Sequence, residues 1–316
     1  MPAPRSPIPV SAADIRAARA RIAPYIRTTP VLSLTADVAL KLENLQITGS
    51  FKVRGAFNHV LALRAQCEAG IITASSGNHG QAVAFVAKVL GLKAVVVVPD
   101  DVAASKAAGI SGYGAELIRH GRYSEERVTY AKELASRRGL HYVPPYDDAW
   151  VIAGQGTAGL EILEQVPDVA VVAVPVSGGG LISGIAMAVK DSRPQAKVVG
   201  VEPQEARRFA LSRSSGTPIT LAHAQTIADG LRVLTPGRLT WEITNRDVDE
   251  FAAVDDDAIL AAMRRLAFDG HVVAEPSGAA SAAYALAAGA AHTVAVVSGG
   301  NVDPAVLLRA LAIGSH

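Results

Sequence analysis

Lys52 is the residue with the most chemical promise in this sequence. It lies between Phe51 and Val53, with Gly49 and Gly55 to either side, and it is one of only eight lysines in the chain. An amine among apolar neighbours gives up its proton more readily than one in water. A neutral amine can then attack a carbonyl and hold it as a Schiff base. Taken alone, the same lysine reads better as a surface residue that lays its stem on apolar neighbours and keeps its charge in water.

Three polar, glycine-rich turns could supply the rest of a site. Thr73-Ala74-Ser75-Ser76-Gly77-Asn78-His79-Gly80-Gln81 follows an apolar run and opens a helical stretch. Its amides would sit at a helix N-terminus, where an anion such as a carboxylate is favoured, and Ser76 and Asn78 add hydroxyl and amide groups. A plain Ser/Asn cap is the alternative, and His79 alone could be a packed, hydrogen-bonded histidine. Ser177-Gly178-Gly179-Gly180-Leu181 comes directly after Val174-Pro175-Val176. Successive glycines let backbone amides approach a phosphate closely. The stretch has neither the Gly-x-Gly-x-x-Gly spacing of a dinucleotide site nor the Gly-Lys-Ser/Thr ending of a nucleotide loop. Ser298-Gly299-Gly300-Asn301 is the third turn, with a hydroxyl that could reach a heterocycle lying across strand ends.

These turns must be positioned by the elements before them. The runs 70–73, 94–98, 169–174, 197–201 and 293–297 are β-branched and continuous rather than alternating. Strands buried on both faces read this way, as in parallel sheets covered by helices. Stretches of helical length lie between them, at 81–90, 124–138, 182–190 and 255–268. Strand alternating with helix predicts an α/β fold whose ligands bind beyond the carboxyl ends of the strands. Ser11 with Asp14 three residues on predicts a capping box for a first helix running to Ile22, which Pro24 ends. Pro144-Pro145-Tyr146-Asp147-Asp148 is a stiff break near the middle and serves as a domain boundary.

Composition narrows the function. Half of the 316 residues are apolar, enough for a large core, and 30 basic against 29 acidic residues leave a net charge of +1. No basic field is available for nucleic acid or an acidic membrane. The one cysteine, Cys67, allows no internal disulfide and no cysteine-rich metal site, which fits a reducing, cytoplasmic setting. The proline-rich start, residues 1–9, lacks the apolar segment of a secretory signal and reads as an extended lead-in. No apolar run is long enough to span a bilayer, so no membrane partner is expected.

Six segments in order resemble the fold type II pyridoxal-phosphate (PLP) enzymes, in the branch of threonine/serine dehydratases and serine racemases. They are 41–56 (Lys41-Leu42-Glu43-Asn44 through Lys52 to Ala56), 75–81, 177–181, Thr226-Ile227-Ala228-Asp229-Gly230, Glu275-Pro276-Ser277-Gly278-Ala279 and Ser298-Gly299-Gly300-Asn301-Val302-Asp303. They span nearly the whole chain. The resemblance implies a tryptophan synthase β-like fold, with two open, twisted, mostly parallel sheets flanked by helices. It implies a large PLP-binding domain from 1–69 plus 148–316, a small mobile domain from 70–147, and a homodimer. Lys52 would carry PLP and then act as base at the substrate Cα, with Phe51 beside it. Asn78 would bond the cofactor's 3-hydroxyl. Ser177, Gly178, Gly179, Gly180 and Leu181 would cradle the phosphate, and Ser298 would face the ring nitrogen. Ser75, Ser76, Asn78 and His79 would bind the substrate carboxylate, and Ser76 matches the acid/base that racemases of this branch place opposite the lysine.

The activity this implies is elimination from a β-hydroxy amino acid, threonine or serine, to a 2-oxo acid and ammonia. Serine racemization and ammonia loss from 3-hydroxyaspartate are the neighbouring enzymatic alternatives, and a PLP or amino-acid binding protein is the non-enzymatic one. Arg127 falls near a substrate-contacting arginine of racemases and would suit a second carboxylate, or it is a helix-surface arginine paired locally. The sequence ends at His316 without the regulatory domain of biosynthetic threonine dehydratases, so isoleucine feedback is not expected. One departure stands out. Racemase-like members hold a divalent cation where this chain has Glu202 and the carbonyl of Ala206, but their third ligand, an aspartate, is Arg208 here. An arginine cannot coordinate a cation and would repel it. Three outcomes are open: an empty site, a charge replaced by Arg208, or a shifted ligand such as Glu205.

Overall fold

Residues 8–313 are described by a computed structural model; most of the proline-rich lead-in lies outside this range. Among the described residues the strands are β1 (Val31–Ser33), β2 (Val38–Leu42), β3 (Ile71–Ala74), β4 (Ala94–Val98), β5 (Glu116–Arg119), β6 (His141–Tyr142), β7 (Val171–Pro175), β8 (Lys197–Pro203), β9 (Glu250–Val254) and β10 (Thr293–Val297). The α-helices are α1 (Ala12–Ile22), α2 (Lys52–Ala62), α3 (Asn78–Leu90), α4 (Ala104–Ser111), α5 (Ser124–Arg138), α6 (Ala149–Gln165), α7 (Gly180–Ser192), α8 (Arg208–Ser215), α9 (Arg238–Asp247), α10 (Asp256–Phe268), α11 (Pro276–Ala288) and α12 (Pro304–Ala312). None of these helices is long and apolar enough to cross a membrane.

All five continuous apolar runs of the sequence are strands, because each is covered from both sides. In β4 and β10 every residue is buried. They belong to two sheets, one ordered β1-β2-β10-β7-β8-β9 and the other β5-β4-β3-β6. Only the β1–β2 pairing is antiparallel; the remaining pairings are parallel. This is the α/β architecture of two mostly parallel sheets flanked by helices. One core layer joins the larger sheet to α10 and α11 through residues such as Leu40, Val297, Leu260 and Ala279. The other joins its opposite face to α6 and α7 through Val172, Val296, Ile162 and Ile185. The smaller sheet packs Ile71, together with Val83 of α3, against Val53 and Phe57 of α2 on one side, and Ile72 against Leu134 of α5 on the other.

The first helix begins as the sequence predicts. Ser11 and Asp14 form a capping box, with the Ser11 amide 2.8 Å from the Asp14 carboxylate and the Asp14 amide 3.3 Å from the Ser11 hydroxyl. Asp255 is the cap of α10 rather than its first residue, accepting from the Ala258 amide at 2.7 Å.

Candidate active site

β10 is the centre of the construction. It lies between β2 and β7 and is parallel to both. Its carboxyl end, Ser298, is therefore next to the turn that follows β7. The segment bearing Lys52 is tied to the same end: the Phe51 amide donates to the Ser298 carbonyl at 3.1 Å, and Ser50 bridges to Gly299. Two of the three glycine-rich turns and the lysine thus meet at the carboxyl ends of the central strands of the larger sheet.

Lys52 is the first residue of α2. Its Nζ donates to the Pro145 carbonyl at 2.7 Å and lies 5.1 Å from the centre of the Phe51 ring. Desolvation by burial lowers its pKa to about 8. Helix α2 is held in place two residues later. Arg54, fully buried, donates to both oxygens of Glu43 (2.8 and 2.7 Å) and both oxygens of Glu161 (2.7 and 2.8 Å). Lys41 donates to Glu161 at 2.6 Å and balances the second carboxylate. This bidentate network joins the start of α2 to β2 and α6. Gly55 lets α6 approach, since a Cβ there would lie 2.4 Å from the Gln155 amide nitrogen.

The turn after β7 needs its glycines for separate reasons. A Cβ on Gly178 would lie 2.4 Å from the Tyr146 ring. Gly179 has φ +94°, and a Cβ there would also meet Thr240 at 2.8 Å. The Thr240 hydroxyl donates to the Gly178 carbonyl at 2.7 Å and pins the loop. Ser177 Oγ is buried and has no hydrogen-bond partner among the described residues. The first turn of α7 begins at Gly180, with Leu181 buried behind it, so this loop leads into a helix N-terminus, where an anion is favoured.

The turn between β3 and α3 comes from the smaller sheet. Ser75 and Ser76 are half-buried there, and the Ser75 hydroxyl accepts from the Gly77 amide at 3.2 Å. Asn78, the first residue of α3, reaches residues that flank β10 and α11 of the larger sheet's layer. Its Nδ2 donates to Glu275 Oε1 at 2.6 Å, and its Oδ1 accepts from Asn301 Nδ2 at 2.7 Å. The His79 ring is buried, with Nε2 3.1 Å from the Val143 carbonyl, and burial lowers its pKa to about 3, aided by the nearby Lys52 charge. Its side chain is therefore a neutral packing element, and only its backbone amide remains for an anion.

Arg127 is not brought to this cluster by any contact the structure shows. Its guanidinium donates to the Arg122 carbonyl at 3.0 Å in its own loop–helix segment. Ser298 is buried at the end of β10, its hydroxyl 3.5 Å from the Ser277 carbonyl. Glu202 and Ala206 converge with Arg208 on a buried site behind the glycine loop.

Glu275 is a site residue for which the sequence offered no role. It immediately precedes α11 without capping it through its side chain, and its carboxyl instead reaches Asn78. Burial pushes its carboxyl up to about 8, and Asp229 adds to the effect. Near neutral pH it is therefore mostly protonated and places little negative charge beside Ser298. Proline after glutamate, at the start of an apolar helix, was its one legible sign. Tyr146 was visible only as part of a stiff break.

Comparison with known proteins shows the family. Residues 22–299 match the family described as pyridoxal-phosphate dependent enzyme. The chain is 43% identical to the catabolic L-threonine dehydratase of Staphylococcus aureus over 310 residues, covering 93% of this chain and 90% of that protein. Among solved structures it is similar to maize serine racemase, with a TM-score of 0.90 and 39% identity, covering 96% of this chain and 97% of that one. It is also similar to a threonine deaminase from T.th., with a TM-score of 0.88 and 42% identity, covering 93% of this chain and 99% of that one.

Proposed function

The chain belongs to the pyridoxal-phosphate dependent enzyme family, and from that premise we propose that it is an ammonia-lyase converting a β-hydroxy amino acid, L-threonine or L-serine, to a 2-oxo acid and ammonia. One observation carries the assignment: an amine with its pKa lowered to about 8 lies at the strand ends beside a glycine loop whose buried Ser177 hydroxyl lacks a partner among the described residues. A phosphate would supply that partner, and the loop packs as closely as it does against Tyr146 and Thr240 because positions 178–180 carry no Cβ. The residues present therefore fit PLP.

Lys52 would hold the cofactor, with Phe51 beside it, the 177–181 loop around the phosphate, and Asn78 and Ser298 toward the ring. PLP supplies an electron sink that acidifies the substrate Cα–H and lets the β-hydroxyl leave. The chain supplies the rest. The lowered pKa of Lys52 leaves a useful neutral fraction near pH 7, which is what a base at Cα requires. The Ser75–His79 turn at the α3 N-terminus offers amides and the Ser76 hydroxyl to the substrate carboxylate. Ser298 offers a hydroxyl rather than a carboxylate, and the raised pKa of Glu275 keeps negative charge away from the same place. The smaller sheet, within residues 70–147, is read as the moving part. It brings the Ser76 turn to the larger unit, 1–69 plus 148–316, through Asn78.

A second activity, serine racemization, is supported by Ser76 in the same turn and by the likeness to the maize structure. The test is a panel of L- and D-serine, L-threonine and both 3-hydroxyaspartate diastereomers, assayed for 2-oxo acid and for inversion by chiral chromatography. The expected result is 2-oxo acid from L-threonine and L-serine. Bound PLP without 2-oxo acid from any of the panel would overturn the lyase assignment.

A further inference from the structure

Behind the glycine loop lies a buried guanidinium surrounded by carbonyl oxygens. Arg208, the first residue of α8, has no solvent exposure. Its Nη1 donates to the carbonyls of Val176 (3.1 Å) and Ser177 (2.9 Å). Its Nη2 donates to the carbonyl of Leu231 (2.7 Å) and to that of Ala206. Four carbonyls from three separate segments thus converge on one side chain. A carboxylate completes the shell: Glu202 Oε1 lies 3.9 Å from Nη1.

Carbonyl oxygens grouped around a buried carboxylate are the surroundings of a hard divalent cation. Here the centre of that shell is filled by a covalently attached charge. Glu202 has also turned its oxygens elsewhere, accepting from the Phe209 amide at 3.0 Å and the Ala210 amide at 2.9 Å. Its lone pairs serve the N-terminus of α8 and face no vacant coordination position. The donor set therefore does not fit a metal ion.

We infer that Arg208 is a built-in cation that replaces the divalent ion of racemase-like relatives, and that it positions the phosphate loop through the carbonyls of Val176 and Ser177. The inference rests on family membership and not on the choice of substrate. A guanidinium stays charged at any working pH and cannot be removed by a chelator. The loop before Gly178 is thus fixed without dependence on metal supply.

The primary test uses the unaltered PLP-loaded protein. After exhaustive EDTA dialysis, metal content is measured by mass spectrometry and the thermal midpoint is recorded with and without added MgCl2 or CaCl2. Metal far below one per chain and an unmoved midpoint are expected. Stoichiometric metal, or a midpoint that falls in EDTA and returns with Mg2+ or Ca2+, would overturn the inference. The second arm is Arg208→Asp, which places a carboxylate among the same carbonyls. In EDTA its midpoint should fall by roughly 10 °C. Ca2+ should raise that midpoint and tighten PLP binding, measured by fluorescence titration, a response that a merely structural arginine would not produce. A variant as stable in EDTA as the parent, or a folded one indifferent to Ca2+, counts against the replacement; if the variant does not fold, the chelator experiment decides.

Discussion

Lys52 Nζ donates to the carbonyl of Pro145 at 2.7 Å, and the next residue, Tyr146, lays its ring against Gly178. The amine and the anion loop are therefore spanned by one dipeptide. Replacing Lys52 by Ala should abolish the visible absorbance of bound PLP and lower activity by about 10³-fold or more. Full activity in that variant would remove the foundation of the proposed function.

The acidity of Lys52 gives a pH expectation. Its pKa is lowered to about 8 from an ordinary 10.5 by desolvation. Covalent capture of pyridoxal phosphate by the unloaded protein should accelerate as pH rises through about 8 and then level off, followed by stopped-flow absorbance. A midpoint near that of a free lysine would refute the desolvated setting. The stability effect runs the same way: between about 8 and 10.5 the folded chain holds fewer protons than the unfolded one, so stability rises with pH there.

Glu275 has the opposite sign. Burial raises its pKa from 4.5 to about 8, so the folded chain keeps a proton that the unfolded chain releases. The stabilisation is full below the unfolded value and is lost as pH rises through about 8. Glu275→Gln, which preserves a neutral acceptor for Asn78, should change the thermal midpoint little at about pH 5. At about pH 9 it should stabilise by ~2–4 kcal/mol, given about 1.4 kcal/mol per pK unit. Equal effects at both values would show that the carboxyl titrates normally.

The loop behind the proposed phosphate site can be probed without touching the lysine. Thr240→Val removes the 2.7 Å bond to the Gly178 carbonyl while keeping the volume. It should weaken PLP binding about 5–10-fold, the equivalent of one net hydrogen bond. Gly179→Ala should be worse, since φ +94° strains any Cβ and Thr240 stands 2.8 Å from it. Unaltered PLP affinity in both variants would mean that the loop does not hold the phosphate.

The buried network that seats α2 predicts a stability defect. Arg54→Met leaves Glu43 and Glu161 sharing only Lys41 as a cation in a fully buried place. It should cost about 3–5 kcal/mol, read from urea unfolding of the unloaded protein. A loss under about 1 kcal/mol would mean the carboxylates relax or become protonated without penalty.

Five strands were legible because burial on both faces writes an unbroken apolar run. The edge strands were not: β5 is Glu116–Arg119 and β9 begins at Glu250, and neither is buried along its length. Helix α2 was hidden for another reason. Arg54, Asn58 and His59 look like surface residues, and they are buried only because Glu43, Glu161, Trp150 and Asp148 arrive from elsewhere. The site shows the same division. Glycine turns after apolar runs announce themselves locally, while Glu275 meets Asn78 across 197 positions of sequence. Arg208 was visible as an anomaly, but its four carbonyl partners could be found only in three dimensions.

The order of strands in the larger sheet also bears on how the protein is made. β10 occupies the middle of that sheet yet follows every other strand in the sequence. During synthesis β2 and β7 emerge long before the strand that separates them, and the Phe51–Ser298 link cannot form until then. A nascent chain therefore has no competent lysine pocket, however much of its smaller sheet has already folded. The proposed lysine pocket is thus completed only by a chain whose synthesis has passed β10, which would make cofactor loading a late event in the life of each molecule.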